Sequence, residues 1–224
     1  MLRITDRGLD AYVRDLDRRT PFALSRWGDG EWMALLGMGG ATRDGQTLHA
    51  DLRAALTTVL ETRPPYELAL GPFAIRRFGP QMEQWLAARA LEFSWTSAVT
   101  FAYASRDGRL GPLTRALSGR CVVLIGPAYL SALTLFPVAA HIVVPASEAF
   151  DAAAQIEHEA HTWLLGLAHR QPVAAISAGP AAKVLVHRLW GRCPFATVID
   201  FGSVWDPYAG RITRTYQKGL RLCG

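Results

Sequence analysis

Apolar positions along the chain follow two spacings in turn. Leu9, Tyr12, Val13 and Leu16 recur every three or four residues, the face of an amphipathic helix over residues 8–19. Phe22-Ala23-Leu24-Ser25 is a short strand run. A glycine-rich turn follows, then a helix from Glu31 to Leu36 that Gly37-Met38-Gly39-Gly40 ends. A second helix spans Leu48 to Glu61 and stops before Pro64-Pro65. Glu67 to Leu70 reads as a strand closed by Gly71-Pro72, residues 81–91 as a helix, Ala98 to Tyr103 as extended chain and residues 110–117 as a helix. The second half is more regular, with strands at 121–125, 141–144, 173–177 and 196–200 and helices at 150–168 and 181–190. Strands alternating with helices predict βαβ units, hence an α/β fold with a doubly wound, largely parallel sheet and helices on both faces. No internal repeat, low-complexity tract or linker breaks the series, which predicts a single domain over residues 1–224.

One stretch needs a separate argument. From Cys121 to Ser147 there is no Asp, Glu, Lys or Arg, the composition of a membrane span. Pro127, Pro137 and Pro145 cut it at short intervals, and Val122 to Ile125 and Ile142 to Val144 are β-branched runs of strand length. It reads as strand, short helix, strand in the middle of a parallel sheet, buried on both faces.

Half of the 224 residues are hydrophobic and 19% are charged, enough to fill a core and to exclude a disordered chain. Cys121, Cys193 and Cys223 are odd in number, far apart and without a CxxC pair, so neither a disulfide framework nor a zinc knuckle is expected. The opening Met1-Leu2-Arg3-Ile4-Thr5-Asp6-Arg7 reaches charge too quickly for a signal peptide, and with the cysteines it points to the cytoplasm. Formal net charge is +5, carried almost wholly by arginine. Arginine's planar fork suits phosphate, although a GC-rich coding sequence produces the same bias. The arginines are scattered, with no basic block, so nucleic acid is not an expected partner. An anionic ligand or peripheral contact with membrane headgroups is compatible with the surplus.

Three strand-to-helix junctions carry candidate chemistry. In Arg26-Trp27-Gly28-Asp29-Gly30-Glu31, Gly28 and Gly30 allow close approach of a ligand, Asp29 and Glu31 supply carboxylates for Mg²⁺ or Mn²⁺, and Arg26 can neutralise phosphate. The same acids also read as an ordinary helix start, with Asp29 as N-cap and Glu31 in the first turn. Gly126-Pro127 and Ser177-Ala178-Gly179-Pro180-Ala181-Ala182-Lys183 each place Gly-Pro between a strand and a helix. That is either an anion site at exposed amides or plain helix initiation. Asp200, delivered by the last strand, is a candidate general base or metal ligand. Trp205 and Tyr208 either stack on a ligand or cover the core. His158 and His161 lack the zincin spacing and read as solvated helix residues. There is no Walker motif, no dinucleotide fingerprint and no serine nucleophile elbow.

Taken in order, these segments resemble the GT-D-fold glycosyltransferases. Arg26 to Glu31 after a Phe-Ala-Leu-Ser strand is similar to that family's Arg-aromatic-Gly-Asp-Gly-Glu motif. Val123-Leu124-Ile125-Gly126-Pro127, Pro145 to Phe150, Ile176 to Leu185, and Asp200-Phe201-Gly202-Ser203 with Tyr208 follow in the family's order, over about residues 20–210. The resemblance implies a bacterial, Rossmann-like transferase whose Asp-x-Glu pair, Asp29 and Glu31 here, binds metal and nucleotide sugar. Trp27 stands where Tyr or Phe is usual, Glu148 where Asn is expected, and Ser203 and Trp205 where other residues are usual.

The expectation is therefore a metal-dependent glycosyltransferase using Mn²⁺ or Mg²⁺, a UDP-hexose donor and a hydroxyl acceptor. Asp29 and Glu31 would hold the metal. Arg26, Gly28, Gly30, Gly126, Pro127, Ser177, Gly179, Pro180 and Lys183 would line the donor site, and Glu148 or Asp200 would act as base. A metal-dependent phosphoesterase and a non-catalytic nucleotide-sugar-binding module are the alternatives.

Overall fold

A computed structural model of the chain describes residues 2–42 and 47–218. Its centre is one eight-stranded sheet in which every pairing between strands is parallel: β1 (Ile4–Thr5), β2 (Ala23–Trp27), β3 (Glu67–Leu70), β4 (Trp95–Ser97), β5 (Val122–Pro127), β6 (Val138–Val144), β7 (Val173–Ile176) and β8 (Thr197–Asp200). The order across the sheet is β1-β4-β3-β2-β8-β7-β5-β6. Eight α-helices are found among the described residues: α1 (Leu9–Asp17), α2 (Asp29–Leu35), α3 (Ala50–Glu61), α4 (Pro72–Ala87), α5 (Thr100–Arg106), α6 (Gly111–Ser118), α7 (Ala153–Gly166) and α8 (Ala181–Arg192).

The two-residue period of a strand sends alternate side chains to opposite faces. Leu24, Val122, Leu124, Val173, Ala175 and Ile199 point to one side, against α1, α5, α6 and the segments that follow β5 and β8. Ala23, Val123, Ile125, Ala174, Ile176 and Val198 point to the other, against α7 and α8, while Trp27, Leu68 and Leu70 meet α2, α3 and α4 there. Both faces are covered, β5 and β7 carry only apolar side chains, and the doubly wound parallel sheet is observed. The uncharged stretch 121–147 forms β5 and β6, and no helix of the described residues is long and apolar enough to cross a membrane.

Three elements differ from expectation. Residues 98–103 are not extended. Phe101 and Tyr103 alternate like strand residues, but the buried set Ala98, Phe101, Ala102 and Ser105 is a helical face, and Thr100 starts α5. Helix α4 begins at Pro72 rather than near 81, because Pro at a first helical position opens a helix instead of closing the strand. Pro80 then lies inside α4 on its exposed side, where the missing N–H removes only the bond to the Arg76 carbonyl. Between β5 and β6 the chain makes a short 3-10 turn, Ala128–Ala132, and no α-helix. Of the cysteines, Cys121 and Cys193 are buried free thiols, and Cys223 lies outside the described residues.

Candidate active site

All strands run the same way, so their carboxyl ends and the turns that follow share one edge. After β2 the chain passes to α2 on one face of the sheet; after β8 it passes to Phe201, Val204 and Trp205 on the other. Neighbouring strands whose exits diverge in this way leave a crevice at their ends, the usual ligand position in such sheets. Arg26, Glu31 and Asp200 converge there.

The convergence is held by one buried ammonium. Lys183, in the first turn of α8, places Nζ 2.8 Å from Glu31 Oε1 and 3.0 Å from an Asp200 carboxylate oxygen. It also donates to the Gly179 carbonyl at 3.1 Å. Glu31 Oε2 accepts from the Gly28 N–H at 2.7 Å, the half of a capping box that a glycine N-cap allows at the start of α2. Asp200 accepts from the Arg26 N–H at 3.2 Å and the Gly202 N–H at 3.0 Å, and is 1% exposed. Burial opposes charge on Lys183, but Asp200 and Glu31 outweigh it and hold the ammonium above its ordinary value. Glu31 mirrors this: burial works against the carboxylate, and Lys183 with the Gly28 N–H overcomes it and holds the group below its ordinary value.

Arg26 is likewise engaged. Its Nε donates to the Ala98 carbonyl at 2.8 Å and its Nη1 to the Phe201 carbonyl, tying the turn after β4 to the turn after β8. Gly202, at φ +56°, leaves room for that guanidinium, since a Cβ there would sit 2.4 Å from Arg26 Nη1. These contacts make Arg26, Glu31, Lys183 and Asp200 the bracing of the crevice. These four residues, expected to serve in phosphate binding, metal ligation and proton abstraction, make their internal bonds through the Glu31 and Asp200 carboxylates, the Lys183 ammonium and Arg26 Nε and Nη1.

Asp29 is placed differently. The N-cap is Gly28, so Asp29 is the first helical residue. It is exposed and has no ion pair among the described residues. It borders an open cleft of about 400 Å³ whose other walls are Phe73, Arg76 and Arg77 of α4. The turns leading into α2 and α4 touch directly: the Gly71 N–H donates to the Trp27 carbonyl at 2.8 Å, and a Cβ on Gly71 would lie 3.5 Å from Gly28 Cα. Gly30 packs beneath Thr42, whose Cγ2 would be 3.2 Å from an added Cβ.

The remaining expected residues sit along the same edge. Gly126 approaches the exit of β7 so closely that a Cβ would lie 3.3 Å from Ser177 Cβ and 2.6 Å from Leu130 Cδ1. Pro127 leads into the 3-10 turn, so no α-helix offers its amides to an anion there. Ser177 is buried with no hydrogen-bond partner for its hydroxyl, Gly179 has φ +55°, and Pro180 is the N-cap of α8. Glu148 (φ +51°) accepts from Thr47 through both carboxylate oxygens, at 2.5 Å from Oγ1 and 3.4 Å from N. It thereby fastens the loop before α3 to the loop after β6. Trp205 is fully buried against Phe201 and Phe136, and the Tyr208 hydroxyl meets Ser105 Oγ at 3.2 Å, so the tail covers the core. His158 is exposed, and His161 Nδ1 lies 3.2 Å from Arg192.

The fold has a known counterpart. The chain is similar to the selenomethionine-substituted structure of a domain of unknown function, number 1792, with a TM-score of 0.64 and 17% identity over 92% of this chain and 80% of that one. At that identity the likeness shows the α/β fold and nothing finer. No family model matches the sequence, and no curated protein does.

Phe73, Arg76 and Arg77 escaped sequence reasoning. Their signal was present: Arg76 and Arg77 stand three and four residues after Phe73 on one helical face. It was hidden once the helix was started near 81.

Proposed function

We propose that the chain is a glycosyltransferase that draws a sugar from a nucleotide-sugar donor, a UDP-hexose by the resemblance in sequence, and passes it to a hydroxyl acceptor. The observation that supports this most is Asp29. It is a solvent-facing carboxylate just past the carboxyl end of β2, in a cleft that it shares with two guanidiniums of α4, the helix that follows β3.

Mn²⁺ or Mg²⁺ fits this site through Asp29, because such ions are commonly held by one or two carboxylates with substrate phosphate oxygens completing the shell. Glu31, the second carboxylate of the Asp-x-Glu pair, accepts from Lys183 and the Gly28 N–H and keeps a further lone pair on each oxygen with which to join Asp29 as a ligand. Among the described residues no group of three His, Cys, Asp or Glu forms a metal cage. When bound, the ion supplies charge stabilisation to the departing nucleoside diphosphate. In this reading Glu31 orients the first turn of α2 and so aims Asp29, while Lys183, Asp200 and Arg26 hold the walls apart.

The test is metal-stimulated transfer from UDP-hexoses over a panel of hydroxyl acceptors, with Asp29→Asn as the variant. Transfer by the wild type that drops roughly a hundredfold or more in Asp29→Asn is the expected result. Full metal-stimulated transfer by Asp29→Asn would overturn the reading. So would fast cleavage of simple phosphate esters, which marks a phosphoesterase, or donor binding without turnover across the panel.

A further inference from the structure

The outward face of α4 is built unlike a solvated helix surface. Ala74, Phe78, Met82 and Trp85 bury one side of the helix. On the other, Phe73 is 61% exposed, and Arg76 and Arg77 lie one turn further on, flanking it. The Arg76 guanidinium lies 4.4 Å from the Phe73 ring centre, and that of Arg77 4.8 Å from the Phe78 ring centre. A single exposed phenylalanine is ordinary. This one shares a helical turn with two guanidiniums and a cleft with Asp29.

Charge sharpens the point. Arg7, Arg89, Arg106, Arg109, Arg188 and Arg192 each sit beside a carboxylate, while Arg14, Arg18, Arg53 and Arg115, like Arg76 and Arg77, have no ion pair among the described residues. Among the described residues Arg76 and Arg77 have no ion-pair partner and make only their ring contacts. Two uncompensated guanidinium forks match the oxygens of two phosphoryl groups, and the exposed ring offers a stacking surface for a flat heterocycle. The cleft volume falls in the range of small-molecule sites. Asp29 in the same cleft repels a bare anion and tolerates one that carries a cation.

We propose that Phe73, Arg76 and Arg77 form a binding site for an organic diphosphate, with the base of a nucleoside diphosphate on Phe73 and its phosphates on the two arginines. The inference rests on the transferase reading only for the identity of the diphosphate as the donor's leaving half.

The test is calorimetric titration of the 224-residue chain with UDP and with inorganic pyrophosphate, each with and without Mn²⁺. Alongside it, sedimentation with neutral vesicles doped with a prenyl diphosphate probes a lipid source. The variants are Arg76→Gln/Arg77→Gln and Phe73→Ala. All three side chains are exposed, so melting curves of the variants should match the wild type.

The expected result is UDP affinity lower by roughly tenfold or more in the double arginine variant, with pyrophosphate binding weakened in step. Phe73→Ala should weaken UDP and leave pyrophosphate unchanged. Wild-type UDP affinity in all variants would overturn the site, as would a wild type that binds neither UDP nor pyrophosphate. Vesicle binding lost in the double variant, with UDP binding intact, would overturn the nucleoside assignment in favour of a lipid diphosphate. The two readings fail separately. Unchanged UDP binding in these variants beside transfer abolished by Asp29→Asn removes this inference alone. Arginine-dependent UDP binding without transfer to any acceptor removes the transferase reading alone.

Discussion

The Lys183 ammonium lies 2.8 Å from Glu31 Oε1, and both side chains are buried. Because Asp200 shares the same ammonium at 3.0 Å, one cation serves two carboxylates, one ending β8 and one in the first turn of α2 after its neighbour β2. The cluster carries one net negative charge, offset by N–H donors from Gly28, Arg26 and Gly202. Removing its members therefore has unequal consequences.

Lys183→Met leaves two buried carboxylates facing each other without a counter-charge, and should cost about 3–5 kcal/mol of stability. Glu31→Gln leaves a neutral Lys183–Asp200 pair and gives up one charge-assisted hydrogen bond, a loss of about 1.5–3 kcal/mol. Combining them should recover part of the Lys183→Met loss, because the second change removes one of the repelling charges. Urea unfolding of the four proteins gives the coupling energy directly. Simple additivity would mean that the two side chains do not interact in solution.

The next prediction concerns pH. Burial, and after it the neighbouring Arg188 cation, hold the His187 imidazole below its ordinary value. Its ring sits beside Tyr66, with the hydroxyl 3.4 Å from Nδ1, and burial pushes the Tyr66 phenol up so that it remains neutral. A depressed folded value means that the unfolded chain binds more protons between that value and about 6.5, so stability rises with pH through this window and is lost as pH falls through it. Urea midpoints compared at about pH 5 and about pH 8 should differ more for the wild type than for His187→Gln. The same pH dependence in both proteins would rule out the effect.

Much of this was legible in the residues. The alternation of β-branched runs with helical faces fixes a parallel sheet, and glycine spacing marks the turns at its carboxyl edge. What the chain order conceals is the pairing of Glu31 with Lys183 and Asp200, which lie far apart in sequence and meet only because β2 pairs with β8 and α8 packs over both. A carboxylate two residues from Asp29 reads as a second metal ligand, and nothing nearby in sequence shows that it also pairs with an ammonium. Composition cannot locate that ammonium, since a buried lysine and an exposed one look alike in sequence. Arg76 and Arg77 were missed for a local reason: Gly71-Pro72 ends a strand and starts a helix in one step, and the spacing that follows only makes sense once the second role is seen.

Gly202 offers the last prediction, through Arg26. At φ +56° any other residue is strained, and a Cβ would stand 2.4 Å from Arg26 Nη1, which donates to the Phe201 carbonyl. Gly210 is the natural control: it has φ +76°, but nothing lies within 4 Å of an added Cβ. Gly210→Ala should cost only the left-handed backbone penalty, about 1–2 kcal/mol. Gly202→Ala should cost about 2–4 kcal/mol, because the guanidinium must also move and give up a partly buried, charge-assisted hydrogen bond. The displaced Arg26 should loosen the link between the turns after β4 and β8, seen as faster amide exchange at Gly202 and Phe201 with little change in the helices remote from them. Equal losses for the two glycine variants would mean that Arg26 is not pinned in that turn, and its assignment as a brace rather than a phosphate contact would have to be withdrawn.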